Sequence, residues 1–229
     1  MTRQTVIPIA HDNEYSLEHF AGQGNQALIN ELRQIANADR DLPAIFLWGP
    51  SGCGKTHLLL GCCQYAGQEG RRSHYINLAQ DSGVLELEAI KSDELACVDG
   101  VENVPGDRVQ EEWLFTLYEH CLSVGSGMVF AGQEPPSTLK FSLADLPSRL
   151  SRGGVFAVQR MNDGEKQSAI QARAKSRGME IPDNVTGFIL SRYGRDEKTL
   201  FALLDRLDSE SLKSQRKITI PFLKSLKIG

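Results

Sequence analysis

The sequence predicts an α/β protein, in which a five-stranded parallel sheet with helices on both faces is followed by a small domain made of helices alone. Three observations predict it. Short apolar runs alternate with helical stretches up to about residue 160, a phosphate-binding loop follows the first apolar run, and only helical periodicity is found beyond residue 160. We therefore expect an extended tail at 1–12, the α/β domain at 13–160 and a helical domain at 161–229.

The first strand and the loop after it predict a nucleotide site. The apolar run Ala44–Trp48 suits a buried strand, and a helix is predicted over 56–66. The loop between them matches G-x-x-x-x-G-K-[ST] at every fixed position, with the residues Gly49, Pro50, Ser51, Gly52, Cys53, Gly54, Lys55 and Thr56. We expect a nucleoside di- or triphosphate there, with Lys55 at its β- and γ-phosphates and Thr56 on Mg²⁺. A glycine-rich turn that matches by chance is the alternative.

Four later strands are predicted, over 73–78, 95–98, 127–132 and 155–158. Two of them are followed by a polar residue suited to such a site. Asp99 closes one, where its carboxylate could hold Mg²⁺ directly or through water. Gln133 follows another, where it could contact a γ-phosphate or hydrogen-bond its own turn. The next residue after Asp99 is Gly100, which offers no carboxylate to activate water, and Glu102 lies two positions further on. We therefore expect slow or absent hydrolysis by the chain alone.

The helical patterns complete the expected elements. A helix is predicted after Asn25, and the apolar side chains before it, Leu17 and Phe20, could line a base pocket or form a hydrophobic staple. A long amphipathic helix is predicted over 108–124, and a short one ends near Arg149, which by residue type is expected to be an ordinary surface arginine. The core face of the long helix is expected to hold Leu114, Leu117, Tyr118, Cys121 and Leu122. Helices are expected at 163–177, 183–193, 196–213 and 221–227.

Composition limits the classes of function. A net charge of −4 and a pI near 5.8 argue against a chain that holds DNA on a broad basic surface, so any DNA link is expected to be indirect. The five cysteines are odd in number and have no C-x-x-C metal spacing, so we expect reduced, mostly buried thiols. We expect no membrane segment and no secretory signal, and hence a cytoplasmic protein.

The first residues have the pattern of an extended peptide. Gln4 leads a short segment in which Ile7 and Ile9 flank Pro8. Such a segment could dock in a partner's pocket through its apolar side chains, with Gln4 hydrogen-bonded beside them. A tail that packs on its own domain is the equal alternative.

Taken together, these motifs resemble the DnaA/Hda family of AAA+ proteins, most closely its smaller Hda branch, over nearly the whole chain. Residues 4–9 look like that branch's sliding-clamp-binding motif, and 98–102 are similar to the Walker B segment, with Asp99 at the metal position. The segment 145–150 looks like the family's arginine-finger segment, with Arg149 at a subunit boundary. Residues 196–200 resemble the sensor 2 region, where Lys198 stands in place of the usual arginine, and 216–222 resemble the end of the lid.

The resemblance implies a regulator of replication initiation. Bound through its tail (Gln4, Ile7, Ile9) to the β subunit sliding clamp on DNA, the chain would dock on ATP-bound DnaA and promote hydrolysis of that ATP, with Arg149 supplied in trans. The cofactor would be ADP, or ATP, with Mg²⁺, held by the phosphate loop, the following His57 and Lys198. Gly100, and Gln133 in place of an acidic sensor 1 residue, weaken self-catalysed turnover. A homo-oligomer is compatible with this interpretation.

Two other functions remain open. One is an autonomous AAA+ ATPase, such as a helicase loader or an initiator-like protein, which the intact phosphate loop favours and Gly100 disfavours. The sequence ends after the expected lid, without a helix-turn-helix domain, and this argues against an initiator. The other is a small-molecule phosphotransferase, which only the phosphate loop favours.

Overall fold

The computed structural model describes residues 15–20, 23–39, 44–79, 87–193, 200, 203–204, 206–210 and 218–225. The predicted tail at 1–12 and Lys198 lie outside these residues. The chain divides into two compact units, of which the second comprises Glu18–Gln23 and Arg160–Gly229 and the first the rest.

The first unit contains the predicted five-stranded parallel sheet, with the strand order β2-β3-β4-β1-β5. Its strands are β1 (Ala44–Trp48), β2 (Ser73–Asn77), β3 (Leu95–Asp99), β4 (Gly127–Gly132) and β5 (Val155–Ala157). Because the carboxyl ends of parallel strands meet at one edge, the segments that follow β3, β4 and β1 lie side by side. The phosphate loop, Gln133 and Asp99 therefore share that edge, and the α/β prediction is confirmed.

The described residues of this unit form the α-helices α1 (Gln26–Ala36), α2 (Lys55–Gln68), α3 (Arg108–Val124) and α4 (Leu146–Ser151). Asp107 caps α3, since its carboxylate accepts hydrogen bonds from the backbone N–H groups of Val109 and Gln110. The core face of α3 is buried as predicted, with one exception. Leu122 is 39% exposed, because eight residues at 3.6 per turn carry it about 80° around the helix axis from Leu114. Its prediction as a core residue was wrong.

The second unit is helical, as predicted. The helices whose two ends are described are α5 (Asp163–Ser176), α6 (Asp183–Arg192) and α7 (Ile220–Ser225). Residues 206–210 are also helical. Asn162 and Glu165 form a capping box at the start of α5. The core of the unit is built from buried aliphatic side chains, among them Ile170, Ile189, Leu204 and Leu223.

Two further expectations concern cysteines and membrane segments. All five cysteines are free and buried. Within the described part of the chain, no helix is both long and apolar enough to cross a bilayer.

Candidate functional site

The phosphate loop has the backbone of an anion cradle. Gly52 and Gly54 have φ angles of 76° and 95°, which side chains with a Cβ rarely adopt, and α2 begins directly after Gly54. Lys55 Nζ donates to the carbonyl oxygens of Gly49 at 2.7 Å and Pro50 at 3.2 Å. Lys55 is only 8% exposed and both acceptors are neutral. A buried ammonium beside an open helix N-terminus fits a phosphate group.

The eight loop residues divide by exposure. Gly49, Cys53 and Lys55 are buried, and Gly54 is half-buried. Exposed residues form the rim, namely Pro50, Ser51, Gly52 and Thr56. Residues open to solvent therefore flank the buried Lys55 in the loop.

Thr56 and Asp99 lie together, as the metal prediction requires. Thr56 Oγ1 donates to Asp99 Oδ2 at 2.6 Å, and Asp99 is 8% exposed at the end of β3. A hydroxyl and a carboxylate are oxygen ligands of the kind that Mg²⁺ prefers. No group of three or more His, Cys, Asp or Glu among the described residues could hold a metal. Phosphate oxygens and water would therefore supply the other ligands of Mg²⁺.

Tyr75 joins this pair and was not found from the sequence. Its hydroxyl donates to the same Asp99 Oδ2 at 3.0 Å. Burial and the negative charge of Asp99 raise the pKa of Tyr75, so the phenol remains a donor. Tyr75 lies on β2, which is paired with β3, and this strand neighbourhood is the signal that could have indicated it.

The residue after Asp99 has a special backbone. Gly100 has a φ angle of +80°, and the amide Nδ2 of Asn103 donates to its carbonyl oxygen at 2.8 Å. Glu102 is half-buried two positions later, on the short turn Val101–Asn103. Gln133 is exposed directly after β4, between the strands that carry Asp99 and the phosphate loop. The sensor role of Gln133 stays a prediction.

The remaining predicted nucleotide contacts are buried. Leu17 is 2% exposed and Phe20 is 4% exposed. His57 lies in the first turn of α2, where its Nε2 is 3.3 Å from the carbonyl oxygen of Ser16 and its ring centroid is 5.6 Å from that of Tyr15. His57 thus ties the segment before α1 to the helix that follows the phosphate loop. A base pocket formed by Leu17 and Phe20 stays a prediction.

Arg149 is held in place by three neighbours. Its Nε donates to Glu119 Oε1 at 2.6 Å, and its Nη1 lies 3.2 Å from Asp145 Oδ2. Its guanidinium carbon lies 4.4 Å from the centre of the Phe115 ring. The hydrogen bond that Arg149 donates to Glu119 raises the pKa of Arg149. Arg149 is therefore an ordered arginine, with its side chain 27% exposed, and the expectation of an ordinary surface residue missed these contacts.

Buried Glu111 fixes the segment that leads into α4. Its Oε1 accepts from the backbone N–H groups of Gly106 and Ser142, both at 3.0 Å, and its Oε2 accepts from that of Leu143 at 2.8 Å. Burial alone would raise the pKa of Glu111, but these backbone donors outweigh burial and lower it. The carboxylate is therefore ionised and anchors the chain just before the helix that carries Arg149.

Glu111→Gln should destabilise the protein by about 2–3 kcal/mol at pH 7, because an amide nitrogen would face a backbone N–H that now donates to a carboxylate. The pKa of Glu111 is lowered in the folded state, so its stabilisation is complete above the unfolded pKa of about 4.3. It is lost as the pH falls through the folded pKa. Urea unfolding from pH 7 to pH 3 should show the gap between wild type and variant narrowing below about pH 4.3.

Glu112→Ala is the control for Glu111→Gln, because Glu112 is 57% exposed and pairs with Arg108 at 2.6 Å on the same helix. It should cost at most about 0.5 kcal/mol. A gap between wild type and Glu111→Gln that stayed constant down to pH 3 would contradict the lowered pKa of Glu111 in the folded state.

A phosphate loop, a carboxylate at the same edge of a parallel sheet and a separate helical unit define a P-loop protein of the AAA+ type. Comparison with known proteins gives the family. Residues 11–157 match the bacterial DnaA ATPase domain, and residues 163–226 match the lid domain of Hda. The chain belongs to the bacterial DnaA ATPase family and is a DnaA-related protein of replication initiation.

Solved structures share the fold. Domain III of the replication initiation protein DnaA from Thermotoga maritima is 20% identical with a TM-score of 0.76, over 91% of this chain and 93% of that one. AMPPCP-bound DnaA from Aquifex aeolicus is 20% identical with a TM-score of 0.69, and the match covers 87% of this chain and 67% of that one. The Holliday junction branch migration motor RuvB from Thermotoga maritima is 19% identical with a TM-score of 0.66, and the match covers 93% of this chain and 72% of that one.

Proposed function

We propose that this chain, bound to the DNA-loaded sliding clamp, promotes hydrolysis of the ATP bound to DnaA and so limits replication initiation. The observation that most supports this proposal is that the side chain of Arg149 is both held in place and partly exposed. Its guanidinium is held by Glu119 and Phe115 and remains partly exposed, and it lies in a segment that resembles an arginine finger. Such a residue stabilises the charge that develops on a transferring phosphoryl group.

The nucleotide of the chain itself is proposed to be ADP, with Mg²⁺, acting as a structural ligand. Lys55 would contact the phosphates, and Thr56 and Asp99 would hold the metal. The loop geometry and the 2.6 Å contact between Thr56 and Asp99 support this, and a DnaA of the same fold is AMPPCP-bound. Gly100 places no carboxylate beside Asp99, so we expect the chain to turn over little ATP on its own.

The sliding clamp is proposed as the second partner on sequence grounds alone. Gln4, Ile7 and Ile9 form a short apolar segment that would dock as an extended peptide. DNA would then be contacted only through the clamp, in keeping with the net charge of −4.

The test is a hydrolysis assay on DnaA carrying labelled ATP, with and without clamp-loaded DNA. The wild-type chain should accelerate hydrolysis when clamp-loaded DNA is present. Without clamp-loaded DNA the acceleration should be much smaller. Gln4→Ala, or deletion of residues 1–9, should remove the effect of the clamp and leave the thermal unfolding midpoint nearly unchanged. A large loss of stability would instead favour a tail that packs on its own domain. No acceleration by wild type would overturn the proposal.

An autonomous AAA+ ATPase, such as a helicase loader, is the second candidate, because the phosphate loop is intact. It is distinguished by leaving DnaA out of the same assay. Robust multiple-turnover hydrolysis of free ATP by the chain alone would favour this candidate over the regulator. A small-molecule phosphotransferase would show no affinity for the clamp in a pull-down with Gln4→Ala as the control.

A further inference from the structure

We propose that Glu119 is a positioning residue, which holds the guanidinium of Arg149 so that its terminal amino groups face a phosphate on the partner. This inference rests on the proposed function and adds a residue to it. It starts from the short contact between Glu119 Oε1 and Arg149 Nε, at 2.6 Å, across 30 positions of sequence.

The choice of nitrogen matters for the role of Glu119. A guanidinium has five N–H donors, one on Nε and two on each terminal nitrogen. Glu119 takes the Nε donor, and Asp145 Oδ2 lies 3.2 Å from Nη1. Within the described part of the chain, Nη2 and one donor of Nη1 have no protein partner, and two terminal N–H donors of a guanidinium can bind two phosphate oxygens at once. Glu119 therefore fixes the Nε end of the guanidinium and leaves terminal donors for a ligand.

The supports of the guanidinium are rigid. Phe115 lies one turn before Glu119 on α3, packs against the buried core of the sheet unit and presents its ring 4.4 Å from the guanidinium carbon. On α4, Leu146 and Leu150 are both fully buried, so the helix that carries Arg149 is anchored on its other side. The orientation of Arg149 is thus set by α3 as well as by its own helix.

Pre-orientation of this kind should affect rate more than affinity. A long arginine side chain loses rotamer freedom when it is fixed on a ligand, and Glu119 has already imposed that order in the free protein. Loss of Glu119 would leave the charge of Arg149 in place but allow many orientations. The partner would then bind as before, while fewer complexes would have the guanidinium in contact with the reacting phosphate.

The experiment measures stimulated hydrolysis of DnaA-bound ATP, with clamp-loaded DNA, as a function of the concentration of the chain. Glu119→Ala should lower the maximal stimulated rate roughly 10- to 100-fold without a change in the half-saturating concentration. Glu119→Gln should keep the rate within about threefold of wild type, because its amide oxygen can still accept from Arg149 Nε. Glu112→Ala, which removes an exposed ion pair of the same helix, should match wild type.

A double substitution adds an independent check. In the Arg149→Ala background, Glu119→Ala should have no further effect on the rate, because a positioning residue acts only through Arg149. Glu119 is 44% exposed in its side chain, so its variants should fold, and equal thermal unfolding midpoints will confirm this.

Each contrary result is decisive. A Glu119→Ala rate equal to or above wild type would overturn the inference, and a higher rate would mean that Glu119 masks Arg149. A loss of rate equal in Glu119→Ala and Glu119→Gln would also overturn it, since charge and not the hydrogen bond would then matter. If wild type stimulates and Arg149→Ala does not, failure at Glu119 concerns this inference alone. If wild type does not stimulate, the proposed function fails and the inference falls with it.

Discussion

Replacing Arg149 by alanine should reduce the stimulated hydrolysis of DnaA-bound ATP by about 10³-fold or more, since arginine fingers in other nucleotide hydrolases contribute about 10³ to 10⁵ in rate. The fold should survive, because α4 is anchored through buried Leu146 and Leu150 and Arg149 itself is partly exposed. Nucleotide binding and clamp binding should be unchanged. The measurement is single-turnover hydrolysis at saturating concentrations of the chain and of clamp-loaded DNA.

Arg152→Ala is the matched control for Arg149→Ala, because Arg152 is an exposed arginine at the end of the same helix. It should stimulate like wild type. Arg149→Lys should recover little, since a lysine keeps the charge but lacks the planar pair of donors. Full stimulation by Arg149→Ala, with the partner still bound, would remove the finger assignment and leave the ion pair with Glu119 as a structural contact.

Lys55→Ala should weaken the binding of ADP in the presence of Mg²⁺ by about 100-fold, since charged hydrogen bonds contribute about 1.5–3 kcal/mol and tenfold in affinity corresponds to about 1.4 kcal/mol. Lys55 Nζ already lies against the carbonyl oxygens of Gly49 and Pro50, so it would meet a phosphate in the loop without a large movement. The measurement is calorimetric titration of the protein, freed of nucleotide, with ADP and Mg²⁺.

Lys91→Ala serves as the control for Lys55→Ala. Lys91 is exposed and precedes β3, so it lies toward the sheet edge opposite the phosphate loop. Its replacement should leave the affinity for ADP unchanged. Wild-type affinity in Lys55→Ala would mean that the loop does not bind phosphate, and the nucleotide part of the proposal would have to be abandoned.

Local patterns of the sequence predicted most of the fold. The bounds of α3 follow from its apolar periodicity, and β1 follows from a short apolar run before the phosphate loop. Leu122 shows the limit of this approach, because periodicity defines the centre of a buried stripe better than its border. The predicted tail lies outside the described residues, and its role stays a prediction.

The candidate site was only partly predictable, for a physical reason. Lys55 belongs to a contiguous motif, and Asp99 ends an apolar strand, so both can be found in the sequence. The ion pair of Arg149 with Glu119, and the hydrogen bonds that Glu111 accepts from Ser142 and Leu143, join segments about 30 residues apart. Such contacts depend on how α3 packs against the following segment, and no spacing along the chain encodes them. Tyr75 was missed because it reaches Asp99 from a neighbouring strand.

The backbone at Gly100 also limits how this chain could change during evolution. A Cβ at position 100 would lie 3.0 Å from the side-chain amide nitrogen Nδ2 of Asn103. The φ angle of +80° also disfavours any residue with a side chain. A mutation to aspartate or glutamate at this codon would therefore carry a conformational penalty of about 1–2 kcal/mol before it brought any new activity. An acidic residue directly after Asp99 would therefore be gained only with that penalty, unless the turn itself changed first.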